Sequence, residues 1–311
     1  MSIHTIDLDY LGIPGAIAAY VVIQNSSRPV LIETGPASTL DALRAGLAAL
    51  GIAFADIEHA LVTHIHLDHA GAAGHLARHG AMIHVHEFGA KHLADPARLI
   101  ASATRIYGEQ MDRLWGSIVP VPPDKLAPVH DHDPIKIGGL RFTAIETPGH
   151  ARHHHAFELD TADGRVCFAG DIAGITIPGV DPSQFLAIPT PPPEFDLDAW
   201  RASLKRVRGR EYSAIYPTHF GRSEGVNGHL QRLDELLIEH VELIRSERDA
   251  GRSRAEILRR YVAQIRQQAA AIGLSDAQCS MYLSTNLLTM NVDGVLRWLE
   301  KQAEVQTHQA G

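Results

Sequence analysis

An α+β fold is what this chain predicts, and three patterns predict it. Short apolar runs of strand length each close on a polar residue, a leucine-striped helical segment lies between two of them, and residues 222–311 turn wholly to amphipathic helical spacing. At 311 residues and 45% hydrophobic content the chain has apolar material for a substantial core, in one large domain or two. The spacing suggests a domain over 1–221, with an insertion at about 88–134, and a helical extension over 222–311.

Taken in order, Ala18 to Gln24 and Arg28 to Thr34, separated by Asn25-Ser-Ser27, read as a strand hairpin. Ser38 then offers an N-cap, with Asp41 three residues on. Leu40, Leu43, Leu47 and Leu50 make one helical stripe, and Gly51 suits the position just past a helix end. His59 to Thr63 is a short apolar run that reads as a buried strand, Ala70 to His79 as a helix, and Ala81 to His86 as the next strand. From Glu87 to about Asp133 the pattern departs from a simple sandwich: a helix is expected near Leu99 to Trp115, then the rigid Val119-Pro-Val-Pro-Pro123. Ile135 to Thr147, Ala156 to Asp160 and Arg165 to Gly170 restart a strand series, with Asp163-Gly164 as a hairpin turn. Pro189 and Pro191 to Pro193 stiffen the approach to a helix beginning near Asp198. Long amphipathic patterns follow from Leu230 to Ala270 and near Val295 to Ala303, suited to packing, to a homodimer interface or to the wall of a substrate pocket.

Charge and cysteine usage narrow the functions. A net charge of -8 gives no general attraction to phosphate backbones, and the short Arg201-to-Arg210 stretch reads as the solvated side of a helix, so no nucleic-acid partner is expected. Cys167 and Cys279 stand far apart, without the spacing of a disulfide framework or a redox motif. The apolar Leu11-to-Ile23 run is broken by Pro14 and Gly15, so neither an export signal nor a membrane span is read, and a cytoplasmic location is the expectation.

The chemistry is concentrated in Thr63-His-Ile-His-Leu-Asp-His-Ala-Gly71, where His64, His66, Asp68 and His69 fall within six positions. Four such ligands at the end of an apolar strand would burden any core with polar groups unless a cation received them. His64 and His66 alternate to one side in extended backbone, while Asp68 and His69 curl into the helix, so two histidines can serve one cation and the Asp-His pair a second. His150 after a Pro-Gly turn, Asp171 after Arg165-Val-Cys-Phe-Ala169, and His219 after Ala214-Ile-Tyr-Pro-Thr218 occupy the same kind of place, just past a short apolar run.

That string, with Val30-Leu-Ile-Glu-Thr-Gly-Pro36, Thr147-Pro-Gly-His150, Phe168-Ala-Gly-Asp171 and Tyr216-Pro-Thr-His219, resembles the five ordered motifs of the metallo-β-lactamase superfamily over about residues 5 to 220. The resemblance implies a four-layer αββα sandwich with a metal pair at one edge. It implies His64, His66 and His150 on the first metal, Asp68, His69 and His219 on the second, and Asp171 bridging both. Glu33 stands where the superfamily usually has Asp, in a position that orients ligands by hydrogen bonding and does not bind metal. Glu is longer by one methylene, so its partner must be displaced or different. His154 matches a histidine that supports the ligands in hydrolases of this kind, while His153 and His155 read as surface or edge residues, and His84 and His86 as structural ones.

Two divalent ions, zinc first with iron or manganese also accepted by these donors, would hold a water between them. Lowering its pKa from 15.7 to about 7 corresponds to roughly 12 kcal/mol in favour of hydroxide. The expected enzyme is a binuclear metallo-hydrolase that uses this metal-bridging hydroxide on a small ester, thioester or lactone, with Asp68 also orienting the water. Asp171 argues against a true β-lactamase, which has Cys or Ser there, and Gly174 stands where acyl-homoserine lactonases typically have Tyr. Tyr107, Met111 and Trp115, spaced by four, and Phe185 after Asp171 are candidates for the pocket of a small-molecule substrate, although the three spaced residues suit core packing better. The alternatives are an iron-dependent dioxygenase or redox enzyme, a phosphodiesterase and a catalytically silent binding module.

Overall fold

A computed structural model describes residues 1–24 and 28–309. Among the described residues, all eleven strands fall in two sheets. The first runs β1 (Ser2–Asp7), β2 (Ala18–Ile23), β3 (Val30–Ile32), β4 (His59–Leu61), β5 (Met82–His86) and β6 (Leu126–Val129), in that spatial order. β1 to β3 are antiparallel neighbours and β3 to β6 are parallel. The second sheet runs β11 (Ala214–Tyr216), β10 (Gly164–Phe168), β9 (His155–Thr161), β8 (Leu140–Glu146) and β7 (Pro134–Ile137). The turn expected at Asn25-Ser-Ser27 lies outside the described residues.

The chain forms two compact units, each discontinuous in sequence. The first comprises 1–146, 153–170 and 211–224 and contains both sheets. Alternation of side chains explains its layers. Tyr20, Val22 and Ile32 face Phe142, Phe157 and Phe168 in a core between the sheets. Ala19, Val21, Leu31, Ile83 and Val85 instead meet helical side chains: Leu43 and Leu47 of α1 (Leu40–Ala49), Leu76 from the pair α2 (Leu67–Ala70) and α3 (Ala73–Arg78), and Leu93 of α4 (Glu87–Ala94). β2 and β3 are therefore apolar on both faces, as sheet interiors covered on both sides require.

Several local expectations are displaced by tertiary contacts. Ser38 does not cap α1; its hydroxyl donates to the Leu114 carbonyl at 2.7 Å, and the leucine helix starts without a side-chain cap. Gly51 does follow the helix end, with φ +73°. The single helix expected over Leu99 to Trp115 is broken into α5 (Ala97–Tyr107) and α6 (Met111–Trp115) at Gly108, whose φ is +53°. The region 88–134 is not wholly an insertion beside the sandwich, since it ends in β6, which pairs with β5. Ile135 to Thr147 folds back at Gly138 and Gly139 into the β7–β8 hairpin.

The second unit comprises 147–152, 171–210 and 225–311. Its helices are α7 (Leu197–Arg208), α8 (Val226–Asp249), α9 (Arg254–Ala271), α10 (Asp276–Tyr282) and α11 (Thr285–Gln309). The long pattern from Leu230 to Ala270 breaks between α8 and α9 at Gly251, φ +74°, after which Ser253 and Glu256 form a reciprocal capping box. The boundary expected at 221 lies just before this unit's longest run, but the unit also includes both chain stretches that carry His150 and Asp171. No helix among the described residues is long and apolar enough to cross a membrane.

Candidate metal centre

In the first unit, β4 ends at Leu61, and His66, itself extended at φ -60° and ψ 153°, directly precedes α2. His64 Nε2 and His66 Nδ1 lie 2.9 Å apart. Two nitrogens bound to one cation at about 2.0–2.1 Å come to a similar separation. Asp68 and His69 lie on the turn of α2, and the His69 carbonyl is clamped by the Thr34 amide and hydroxyl, each at 2.9 Å. His219 arrives from the loop after β11, and its Nε2 is 3.4 Å from Asp68 Oδ2, which is 3.8 Å from His69 Nε2. Ligand atoms of Asp68, His69 and His219 all lie within 4.8 Å of one another.

Glu33 organises this cluster. It is 1% exposed and its backbone is left-handed, φ +64°, a costly conformation for a residue with a long side chain. Its Oε1 accepts from Thr63 Oγ1 at 2.5 Å, from Thr218 Oγ1 at 3.0 Å and from His69 Nδ1 at 3.0 Å, and its Oε2 accepts from the Thr63 amide at 3.2 Å. One carboxylate thereby holds the segments before His64 and His219 together with His69 itself. His154 is fully buried with its ring 5.0 Å from that of His64. A Cβ on Gly170, φ +54°, would meet His154 Nε2 at 2.5 Å, so this turn has room only for glycine.

The second unit contains His150 and Asp171. His150 Nε2 is 3.3 Å from Asp171 Oδ2, and both side chains are buried. Trp200, on α7, lies edge-on to His150 at 5.7 Å and donates its indole N–H to the Ile172 carbonyl. Gly149, φ +138°, lies so close to Trp200 that a Cβ there would sit 2.3 Å from the Trp200 Cα, which explains the Pro-Gly turn before the ligand.

The tautomers bear on what these rings can bind. His69 Nδ1 faces Glu33, His219 Nδ1 faces the Ala16 carbonyl at 2.7 Å, and His150 Nδ1 faces the Pro189 carbonyl at 2.9 Å. His64 Nδ1 faces Thr63 Oγ1 at 3.1 Å, and that hydroxyl's proton goes to Glu33. In all four rings Nδ1 faces an acceptor, which favours the tautomer with an unprotonated Nε2, the orientation of metal-binding histidines. Nitrogen donors with carboxylates suit zinc and equally iron or manganese. The donor chemistry of each unit fits a divalent cation.

Around Asp68 the structure adds a residue that the spacing could not reveal. Tyr10 stacks on Trp115 at 5.9 Å, and Tyr107 meets the same ring edge-on at 5.1 Å. Both phenols are held well above their ordinary pKa, first by burial and then by the Asp68 carboxylate. Trp115 is buried, Tyr107 and Met111 are half-buried, and they cluster with Leu67, Ala103 and Leu114. Phe185, in the second unit, is buried too. Tyr10 lies far from the ligand motifs in sequence, with nothing in its surroundings to mark it. His153 and His155, expected at the surface or an edge, are buried at 8% and 0% exposure. The sheet-forming residues beside them, not their own polarity, decide this.

A family model described as the metallo-beta-lactamase superfamily matches residues 12–219. A metallo-beta-lactamase fold-containing protein of Sulfurisphaera tokodaii is 28% identical over 209 residues, covering 66% of this chain and 72% of the relative. Among solved structures, a metallo-beta-lactamase family protein from Thermus thermophilus superposes with a TM-score of 0.65 at 21% identity, covering 97% of this chain and 94% of the other. An archaeal superfamily protein from Sulfolobus tokodaii gives 0.62 at 22% identity, with 94% and 98% covered. The motif order, the two-sheet core and the match across two thirds of the residues agree: the chain belongs to the metallo-beta-lactamase superfamily.

Proposed function

We propose that this protein is a metal-dependent hydrolase of a small ester, thioester or lactone. In this reading two divalent cations, zinc first, are held by His64, His66 and His150 and by Asp68, His69 and His219, with Asp171 shared. The observation that carries it is the common orientation of four of these histidines, each with Nδ1 facing an acceptor so that the tautomer with an unprotonated Nε2 is favoured. Bound cations would supply an activated water at neutral pH and polarise the substrate carbonyl. In the same reading Asp68, 3.4 Å from His219 Nε2, would also orient that water. Glu33 keeps the cluster rigid, so little reorganisation accompanies the reaction. The largely apolar cluster of Tyr10, Tyr107, Met111 and Trp115, whose two tyrosines feel the Asp68 charge, supports an apolar wall for the acyl part of the substrate, and Phe185 is a further candidate.

Purified protein screened against p-nitrophenyl esters, thioesters, lactones and phosphodiesters tests this reading. Turnover of a carboxylic ester, thioester or lactone that is lost with chelator and restored by zinc is the expected result. Turnover confined to phosphodiesters, or oxygen consumption that follows bound iron, would replace it. Unchanged turnover in His66→Ala or Asp171→Ala would overturn it.

A further inference from the structure

A second group of ligand-type side chains lies in the first unit, at the ends of other strands. His86 is the last residue of β5, Glu146 the last of β8, and His155 the first of β9; Glu146 and His155 are direct cross-strand partners. Ligand atoms of the three residues lie within 4.8 Å of one another, and His86 Nε2 is 3.5 Å from Glu146 Oε1. The rings of His86 and His155 are stacked, 4.5 Å between centroids and 25° between planes.

His155 is the independent sign that something belongs here. It is fully buried, and neither of its ring nitrogens has a hydrogen-bond partner among the described residues. Buried polar side chains are almost always satisfied, and an imidazole orphaned on both sides marks an absent partner. Two imidazoles stacked beside a carboxylate have the composition of a transition-metal site.

We propose that His86, Glu146 and His155 form a second, separate site for a divalent transition cation, with zinc the best match to two nitrogens and one carboxylate oxygen. The His86–Glu146 spacing already matches the roughly 3.3 Å between ligands of a tetrahedral zinc, and the His155 nitrogen, within 4.8 Å of both, completes the set by a local side-chain shift. Asp131 accepts the Glu146 amide at 2.9 Å and places a second carboxylate nearby, which offsets the cation's charge. The Glu146 side chain is 40% exposed and offers a way in from solvent and a fourth position for water. His86 Nδ1 now accepts from the Phe88 amide at 3.1 Å, so binding through Nε2 moves the ring proton to Nδ1 and gives up that one local bond.

The site does not depend on the proposed hydrolase activity, and metal counting separates the two. The full chain is stripped with chelator, equilibrated with micromolar zinc chloride and analysed by mass spectrometry for zinc per chain, alongside His155→Phe and Glu146→Gln. Wild type is expected to retain one more zinc per chain than either variant, with at least a tenfold weaker affinity for that ion in both. A triple variant with His66, His69 and His219 changed to Ala should keep one zinc, and His155→Phe added to it should remove that ion. Equal zinc content in wild type and Glu146→Gln overturns the proposal. Because Gln keeps the shape of Glu at a partly exposed position, this comparison decides even if His155→Phe fails to fold.

Discussion

Two buried histidine networks, one in each unit, resemble each other in residue type and differ in where their lone pairs lead. Around Glu33 the Nδ1 atoms of His69 and His64 are taken up by Glu33 and Thr63, and the Nε2 atoms lie beside other metal-competent donors. In the helical unit, Tyr261 on α9 bonds His240 Nδ1 on α8 at 2.9 Å and accepts from Asn291 Nδ2 on α11 at 3.1 Å. Asn291 Oδ1 in turn accepts the Thr190 amide at 3.0 Å. This second network ties three helices and a loop together, and among the described residues it gathers no metal-competent set of carboxylates and histidines around its ring. A buried histidine therefore signals a binding site only when its remaining lone pair converges with others.

The difference predicts opposite phenotypes. Loss of a ligand in the first network, as in Asp68→Ala, should lower metal-dependent turnover by more than the roughly 10–100-fold typical of a supporting residue, with the unfolding midpoint of the metal-free protein little changed. Glu33→Gln should fall within that 10–100-fold range for metal affinity or turnover, measured by zinc titration, because it keeps the shape but weakens acceptance of the four hydrogen bonds made to the carboxylate. In the second network, Tyr261→Phe should cost about 1–3 kcal/mol in urea unfolding by orphaning His240 and Asn291, and leave kcat and KM unchanged. If Tyr261→Phe altered turnover without altering stability, the contrast would fail.

Acid sharpens the same contrast. Burial pushes His240 down to about 3 from an ordinary value near 6.5, so the folded ring stays neutral while the unfolded ring takes a proton. Its contribution to stability is complete above about pH 6.5 and is lost progressively as the pH falls toward 3. Denaturation midpoints measured from pH 7 to 4 should therefore decline in wild type and decline less steeply in His240→Gln. The smallest effect belongs to the surface pair Arg201–Asp234, 2.7 Å long but partly exposed, where Arg201→Ala should cost under about 1 kcal/mol and lose even that in high salt.

What the sequence discloses of this molecule is what local chemistry controls. His64 to His69, the Pro-Gly turn before His150 and the strand end before Asp171 each combine a backbone conformation with a ligand-type residue in a few consecutive positions, and β4 and β10 do end shortly before His64 and Asp171. The leucine stripe of α1 and its closing Gly51 are legible for the same reason. Ser38 has the local pattern of a cap and serves another role because the Leu114 carbonyl, 76 residues away, competes for its hydroxyl. Tyr10 within the field of Asp68, and His86 stacked on His155, are products of tertiary packing across long stretches of chain, and no spacing rule reaches them. The inclusion of 147–152 and 171–210 in the helical unit is likewise a matter of tertiary packing, with Trp200 holding both His150 and Ile172.

The left-handed backbone at Glu33 carries a kinetic implication. Because this one residue already fastens Thr63, Thr218 and His69, an ion arriving at the proposed site would find the segments before His64 and His219 already fixed and little left to organise there. Uptake should then be paced by diffusion and dehydration of the ion, not by a refolding event, and stripped and loaded protein should exchange their backbone amides around Thr63 at nearly the same slow rate.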